Sequence, residues 1–380
     1  MLLLGIADSM VGPYLVLFGT KEVGLSPLRV GIFMSLVAAS GLVLSAWLGG
    51  RYDRSASRWP AFVAVVAPAL GYLALAEARS YPLLLFIAVG LLGAGMAAFA
   101  QLFTLARTHL DRSGSTSGRR GTPALRSVWS VAWAIGPLIG AAVLEARGFR
   151  GLMGLTALAF ALVSVPLLLL GATPPAPVRL AARDTDGRLR APVLLAAAAF
   201  TLFHTAMLSG SVVLPLFLTR TLDRADSDVG LLFSVCALVE IPVALSLMFL
   251  PAKVRKERLI DMGMLLFVAY FALVAVSSSL PSLVVTQVAR GAAIAVVGAL
   301  GITHMQDLLP QATGRATALF ANTLAIGSLV SGVLAGAAAQ LLGHRPALLL
   351  CGVLSAVGSG LLIAGRRAPS GTGPRTDGAQ

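Results

Sequence analysis

Four ionisable residues interrupt long apolar runs: Asp8, His204, Glu240 and Arg290. A charge near the centre of a bilayer costs at least about 2.5 kcal/mol on insertion scales, so such residues at such depth point to proton or ion chemistry. Glu240 lies near the middle of the run 229–250 and Arg290 about a third of the way into 282–308, so their depths match. Glu240 is then either a protonatable carboxyl that exchanges a proton for cargo or the permanent partner of Arg290 in a structural ion pair. His204 either titrates near neutral pH or is a hydrogen-bonded packing residue. Asp8, near the beginning of the first run, either joins the titrating set or faces water.

Arg126, Trp129, Trp133 and Pro137 are spaced by three, four and four residues, which stacks them along one helical stripe. With Gln101, Gln287 and Asn322 they would offer an aromatic platform beside amides and a guanidinium, provided that the stripe faces inward. If it faces lipid instead, Trp129 is an interfacial anchor. The stretch THMQDLLPQATGRATALFANT, from Thr303 to Thr323, crowds His304, Gln306, Asp307, Gln311, Arg315 and Asn322 together. Pro310 to Gly314 read as a turn between two helices, with Asp307 placed to meet basic neighbours and Asn322 alone deep enough to touch cargo. No catalytic constellation emerges, because His109, His204, His304 and His344 share no metal-ligand spacing and no phosphate-binding loop is present. No enzyme activity, metal or cofactor is therefore expected, and Cys236 and Cys351, both inside apolar runs, read as small buried residues.

The elements that position these residues follow from composition. Of 380 residues, 57% are hydrophobic and 12% charged, against roughly 25% charged in an ordinary soluble domain. A net charge of +13 would suit nucleic acid only on a soluble basic face, so no nucleic-acid partner is expected. Twelve apolar runs are long enough to cross a bilayer: 1–19, 28–50, 60–78, 82–106, 125–146, 151–171, 192–218, 229–250, 259–279, 282–308, 315–342 and 347–364. MLLLGIADSM lacks the basic start of a secretory signal, so the first run is expected to be retained. Its apolar beginning suggests a few residues upstream. Twenty of the 29 Lys and Arg fall in the connections after even-numbered runs and at the tail, eight in the others, and Arg290 inside a run. Basic loops stay in the cytoplasm, so both termini are expected there.

The Pro-rich, charged segment 172–191 divides the chain into a six-helix half at 1–171 and another at 192–365, followed by a cytoplasmic tail at 366–380 that is expected to be disordered. The halves echo each other. Thr108 and His109 match Thr303 and His304, Arg58 matches Arg258, and Gly136, Gly140, Ala141 and Ala142 match Gly332, Gly336, Ala337 and Ala338. The same offset sets Arg126 against Asn322.

The loop GGRYDRSASRW resembles the signature after the second helix of the major facilitator superfamily, with Gly49, Asp53, Arg54 and Arg58 at matching positions. In that family these residues form a conformational clasp to a neighbouring helix end; otherwise the loop is an ordinary basic one. AWAIGPLIGAA resembles the exporter pattern of the fifth helix, with Gly136, Pro137 and Gly140 in place and Ala141 where the family has a final glycine. These residues serve either close helix packing or an exporter-specific bend. QLFTLARTH, LRSVWSVAWAIGP, Glu-Ile-Pro from Glu240 and the Thr303 to Thr323 stretch together resemble the sugar efflux transporter family of that superfamily.

The resemblance implies an all-α, integral membrane protein of twelve helices. It would be a monomer spanning the inner (cytoplasmic) membrane many times and contacting its lipid. The expected activity is proton-coupled efflux of sugars or glycosides by alternating access. Gln101, Arg126, Trp133, Gln287 and Asn322 would meet the sugar, whose apolar faces and rim of hydroxyls suit such a platform, while Glu240, Arg290, His204 and Asp8 would serve the proton. The rival readings are a multidrug/proton antiporter, which shares the fifth-helix signature, and a membrane sensor or scaffold that does not transport.

Overall fold

The computed structural model describes residues 1–55, 57–112, 117–169, 190–251 and 253–367, with backbone alone at 53–55, 107–112, 117–127 and 169. Eleven of its helices are long and apolar enough to cross a membrane. They are α1 (Leu2–Glu22), α2 (Pro27–Tyr52), α3 (Trp59–Glu77), α4 (Tyr81–Ala106), α5 (Val128–Leu168), α6 (Ala191–Thr221), α7 (Asp226–Phe249), α8 (Lys256–Val276), α9 (Leu280–Leu308), α10 (Thr313–Leu342) and α11 (His344–Arg367). The chain is an all-helical, multi-pass membrane protein, and no strand occurs among the described residues. Large apolar side chains face outward on most helices, as lipid contact requires: Phe86, Met248, Phe249, Val276 and Leu341 are each more than two-thirds exposed.

The helix Ser117–Leu169 runs 53 residues, a length of ~80 Å at 1.5 Å per residue against a hydrocarbon core of ~30 Å. It is broken at Gly148, whose φ of 62° and ψ of −171° only glycine adopts without strain. The break falls between the expected runs 125–146 and 151–171, so α5 has two arms. α1 also changes course: Pro13 lacks an amide hydrogen, and the backbone tightens to a 3-10 turn at Gly12–Tyr14 before widening to a π turn at Phe18–Glu22. Further π turns interrupt α4 at Ala88–Leu92 and end α6 at Phe217–Thr221.

Small residues and hydroxyls set the packing. In the N-terminal group, α1 to α5, Ser9 Oγ donates to the Ala132 carbonyl at 3.0 Å and Tyr14 Oη to the Pro137 carbonyl at 2.9 Å. A Cβ on Gly136 would run into Ser9 Oγ, and one on Gly140 into the Met10 carbonyl, so both glycines are needed for this approach. In the C-terminal group, α6 to α11, Ser209 Oγ donates to the Ser331 carbonyl at 3.2 Å and Gly327 lies flat against His204.

Contacts between the groups gather at one end. α2 meets α10 where a Cβ on Gly31 would strike the Gly332 carbonyl. Val333 donates its backbone N–H to Ser35 Oγ at 3.1 Å, and Leu28 donates its own to Gln340 Oε1 at 3.3 Å. α5 meets α7 where Gly230 abuts the Pro137 carbonyl and Ala141. Lys21 pairs with Asp226 at 2.5 Å, and Arg220 Nη2 donates to the Thr20 carbonyl at 3.0 Å. A cavity of about 280 Å³ opens on this seam between Glu145, Gly148 and Phe149 on one side and Ala225, Asp226 and Ser227 on the other.

At the opposite end lie polar contacts within each group. Arg58 caps the last carbonyls of α5, at Leu167 and Leu168, with 3.1 and 3.2 Å bonds. Lys256 meets Asp307 at 3.1 Å, Gln306 Nε2 donates to Thr317 Oγ1 at 2.9 Å, and Arg366 reaches Asp261 at 2.5 Å. The Thr303 to Thr323 stretch thus contains a pinned turn between α9 and α10 at 309–312, around the expected Pro310, while Gly314, expected in the turn, already lies in α10. The expected segment 172–191 lies outside the described residues except at 190–191, as does the expected tail beyond Arg367. Residues 366 and 367, expected in that tail, close α11.

Candidate functional site

Arg290 is 4% exposed on α9 and is held from three sides. Its Nη2 donates to Ser211 Oγ of α6 at 2.8 Å, its Nη1 to Gln287 Oε1 one turn back at 3.3 Å, and its guanidinium lies over the Phe233 ring of α7 at 4.5 Å. Gln287 is fully buried and gives its Nε2 to the Leu283 carbonyl and to Thr286 Oγ1, each at 3.2 Å. Glu240 is partly buried on α7, and the next residue after Arg290 brings the two helices together. A Cβ on Gly291 would press on the Cys236 carbonyl and stand 3.2 Å from the Glu240 nitrogen. Cys236 feels the charges of both Arg290 and Glu240, so acid, cation and thiol share one locality. The expected clustering of Glu240 with Arg290 is therefore seen at the level of helix placement, with Ser211 and Phe233 as partners the sequence did not single out.

His204 is buried on α6 between the rings of Phe203 and Phe320. Its Nδ1 lies 3.0 Å from Thr323 Oγ1, and the Phe200 carbonyl also faces the ring. Thr323 Oγ1 also lies 2.7 Å from the Phe320 carbonyl of its own helix. This environment favours the hydrogen-bonded packing role. Asn322, next to Thr323, is exposed on the other side of α10. Asp8 is partly buried, and Tyr72 of α3 feels its charge.

In the N-terminal group the aromatic stripe faces protein. Trp129 packs edge-on against Phe99 of α4 at 4.6 Å and touches the ridge at Gly5, while the Pro137 carbonyl takes the Tyr14 hydroxyl. The interfacial-anchor alternative for Trp129 therefore falls. Trp133 Nε1 and Gln101 Oε1 are both buried with no hydrogen-bond partner among the described residues. One is a donor and the other an acceptor, and burying either without a partner costs about 1–3 kcal/mol, a penalty that a bound hydroxylated molecule would relieve. The Arg126 side chain lies outside the described residues, as do those of Asp53 and Arg54.

The sequence profile described as Major Facilitator Superfamily matches residues 1–260 and again 197–379. The chain belongs to the major facilitator superfamily. Within it, curated relatives mark the sugar efflux transporter family. The "Putative sugar efflux transporter" of Deinococcus radiodurans is 40% identical over 97% of this chain and 96% of its own length. "Sugar efflux transporter A" of Dickeya chrysanthemi is 32% identical over 89% and 86%. A solved structure of the nucleoside transporter NupG superposes with a TM-score of 0.79 at 15% identity, covering 97% of this chain and 98% of its own, which establishes the shared fold. This facilitator is a transporter and not an enzyme.

Of the facilitator signatures, Arg58 reaches the C-terminal carbonyls of α5, a neighbouring helix end. Among the described residues, nothing lies within 4 Å of where a Cβ on Gly49 would be. Gly136 and Gly140 act as packing glycines against α1. Ser211, Phe233 and Thr323 were missed because their partners are 79, 57 and 119 residues away and nothing local announces them.

Proposed function

We propose that this facilitator exports sugars or glycosides from the cytoplasm in exchange for protons, by alternating access. The cargo reading rests on one observation above others: relatives that align along nearly the whole chain carry the name of sugar efflux transporters. The unpartnered Trp133 Nε1 and Gln101 Oε1 support it, since sugar hydroxyls both donate and accept. Gln287 and Asn322 from the C-terminal group and Arg126 from the helix of Trp133 complete the proposed contact set.

Glu240 carries the exchanged proton in this proposal, and the fixed cation of Arg290 beside it makes the deprotonated carboxylate tolerable at membrane depth. Asp8 is a secondary proton candidate, and His204 a structural one. The break at Gly148 supports counting α5 as two spans, hence twelve in two halves at 1–171 and 192–365, with both termini cytoplasmic. The joined seam then lies outside and the molecule opens inward, its clasp of Gly49, Asp53, Arg54 and Arg58 on the cytoplasmic face. The protein works as a monomer in the cytoplasmic membrane.

The experiment is efflux of radiolabelled lactose and thiogalactoside from proteoliposomes with and without an imposed pH gradient, with a cationic dye run in parallel. The proposal expects gradient-dependent sugar efflux. Dye efflux without sugar efflux would replace it with the drug antiporter, and movement of neither with the sensor.

A further inference from the structure

We propose that Ser211 is a positioning residue that ties the Arg290 centre to the seam between the two groups, so that the protonation state around Arg290 governs whether the seam holds. The inference rests on the proton-coupled reading above and adds the route by which the charge centre acts.

Ser209, Gly210 and Ser211 form one short segment of α6 with a different helix on each side. Residues two apart on a helix point ~200° apart, so the two hydroxyls leave α6 in nearly opposite directions. Ser209 Oγ donates to the Ser331 carbonyl of α10. Ser211 Oγ donates its proton to Met207 in its own helix at 3.0 Å and accepts Arg290 Nη2 at 2.8 Å. Between them Gly210 lies under the Phe271 ring of α8, where a Cβ would stand 2.6 Å from Cε1, so the segment has no slack on that side.

The α10 end of this link is the seam itself. Ser331 is followed by Gly332, where a Cβ would meet Gly31 and stand 2.7 Å from Ser35 Oγ, and by Val333, whose N–H binds that hydroxyl. Arg290 is thereby joined to α2 through three hydrogen bonds and two short stretches of helix, 209–211 on α6 and 331–333 on α10. Of Arg290's three holds, Gln287 is on its own helix and Phe233 on α7; Ser211 supplies the one from α6. Removing the Ser211 hydroxyl leaves the guanidinium buried and oriented but disconnected from the helix that touches the seam. The titratable groups facing this centre are Glu240 and Cys236 on α7 and Tyr270 on α8, with Cys351 of α11 behind Tyr270 and His204 two turns along α6.

The test compares two assays in proteoliposomes across external pH: efflux driven by a pH gradient, and sugar counterflow without one. Ser211→Ala is expected to lose at least tenfold in gradient-driven efflux and to flatten its pH profile, while counterflow falls less than threefold. Ser211→Thr, which restores the hydroxyl, should recover the driven rate to within about threefold, and Ser209→Ala should reproduce the uncoupled pattern by cutting the other link. Wild-type driven efflux and pH profile in Ser211→Ala would overturn the inference, as would equal losses in both assays that Thr does not rescue. A wild-type protein that moves sugar with no response to the gradient would instead remove the proton-coupled reading itself, and this inference with it.

Discussion

The N-terminal and C-terminal groups share a scaffold and divide the chemistry. Ser9 and Ser209, 200 residues apart, each donate to a backbone carbonyl of a later glycine-bearing helix, at Ala132 and Ser331. The π turns Phe18–Glu22 and Phe217–Thr221 end the matching helices, and Gly31 and Gly230 each dock on the other group. The difference lies one layer inward. In the N-terminal group Gly41 of α2 and Gly93 of α4 meet at one crossing, whereas in the C-terminal group Gly291 of α9 lies against the Cys236 carbonyl of α7, one turn before Glu240. The C-terminal group holds a cation satisfied by Ser211 and Gln287. The N-terminal group keeps a buried indole donor and amide acceptor without a partner among the described residues at Trp133 and Gln101, whereas the atoms so placed in the C-terminal group, Ser234 Oγ, Tyr270 Oη and Ser359 Oγ, are all hydroxyls. Duplication supplied two equivalent frames, and the proposed division is proton work in one and cargo recognition in the other.

That contrast can be broken at the seam most severely. Gly31→Leu would drive a branched side chain into the Gly332 backbone, which cannot give way, so the seam would not form. Transport is expected to fall at least a hundredfold while the protein remains in the membrane, as measured by vesicle efflux normalised to membrane-inserted protein. The control is Gly298→Ala, where a Cβ meets nothing within 4 Å and activity should be unchanged.

An intermediate effect separates the groups. Trp133→Phe keeps the ring and removes the unsatisfied N–H, so if that group binds a sugar hydroxyl the loss is about 1–2 kcal/mol, or roughly tenfold in KM with the maximal rate preserved. Concentration-dependent efflux measures it; an unchanged KM would leave the N-terminal group without its cargo role. The smallest effect belongs to the Lys21 and Asp226 pair. Its side chains are 39% and 22% exposed, and such pairs contribute about 0–1 kcal/mol, so Lys21→Met should shift the balance of conformations, and the efflux rate, by less than about fivefold.

The frame was largely legible in the sequence because a bilayer demands ~20 apolar residues per crossing. The expected run 60–78 is α3, Trp59–Glu77, and 28–50 lies inside α2. The course of α1 was less legible. Apolarity carries no information about the 3-10 turn at Gly12–Tyr14 or the π turn at Phe18–Glu22. At the site, Glu240, Arg290 and His204 stood out because charge or a titratable ring at depth is costly. Ser211 and Thr323 did not, since a lone hydroxyl on an apolar helix is ordinarily spent on its own backbone. Both do bond a carbonyl of their own helix, and their second roles, toward Arg290 and His204, exist only through helices about 80 to 120 residues away in the chain. The inward face of the Trp129 stripe likewise needed Phe99 to decide it.

The central claim is that protonation of Glu240 in the C-terminal group drives sugar outward. Its most direct measurement is sugar efflux by Glu240→Gln in proteoliposomes with and without an imposed pH gradient, beside the wild type. The account predicts that the variant inserts normally and retains sugar counterflow, but that its efflux no longer responds to the gradient. A variant whose efflux follows the gradient as the wild type does would contradict it.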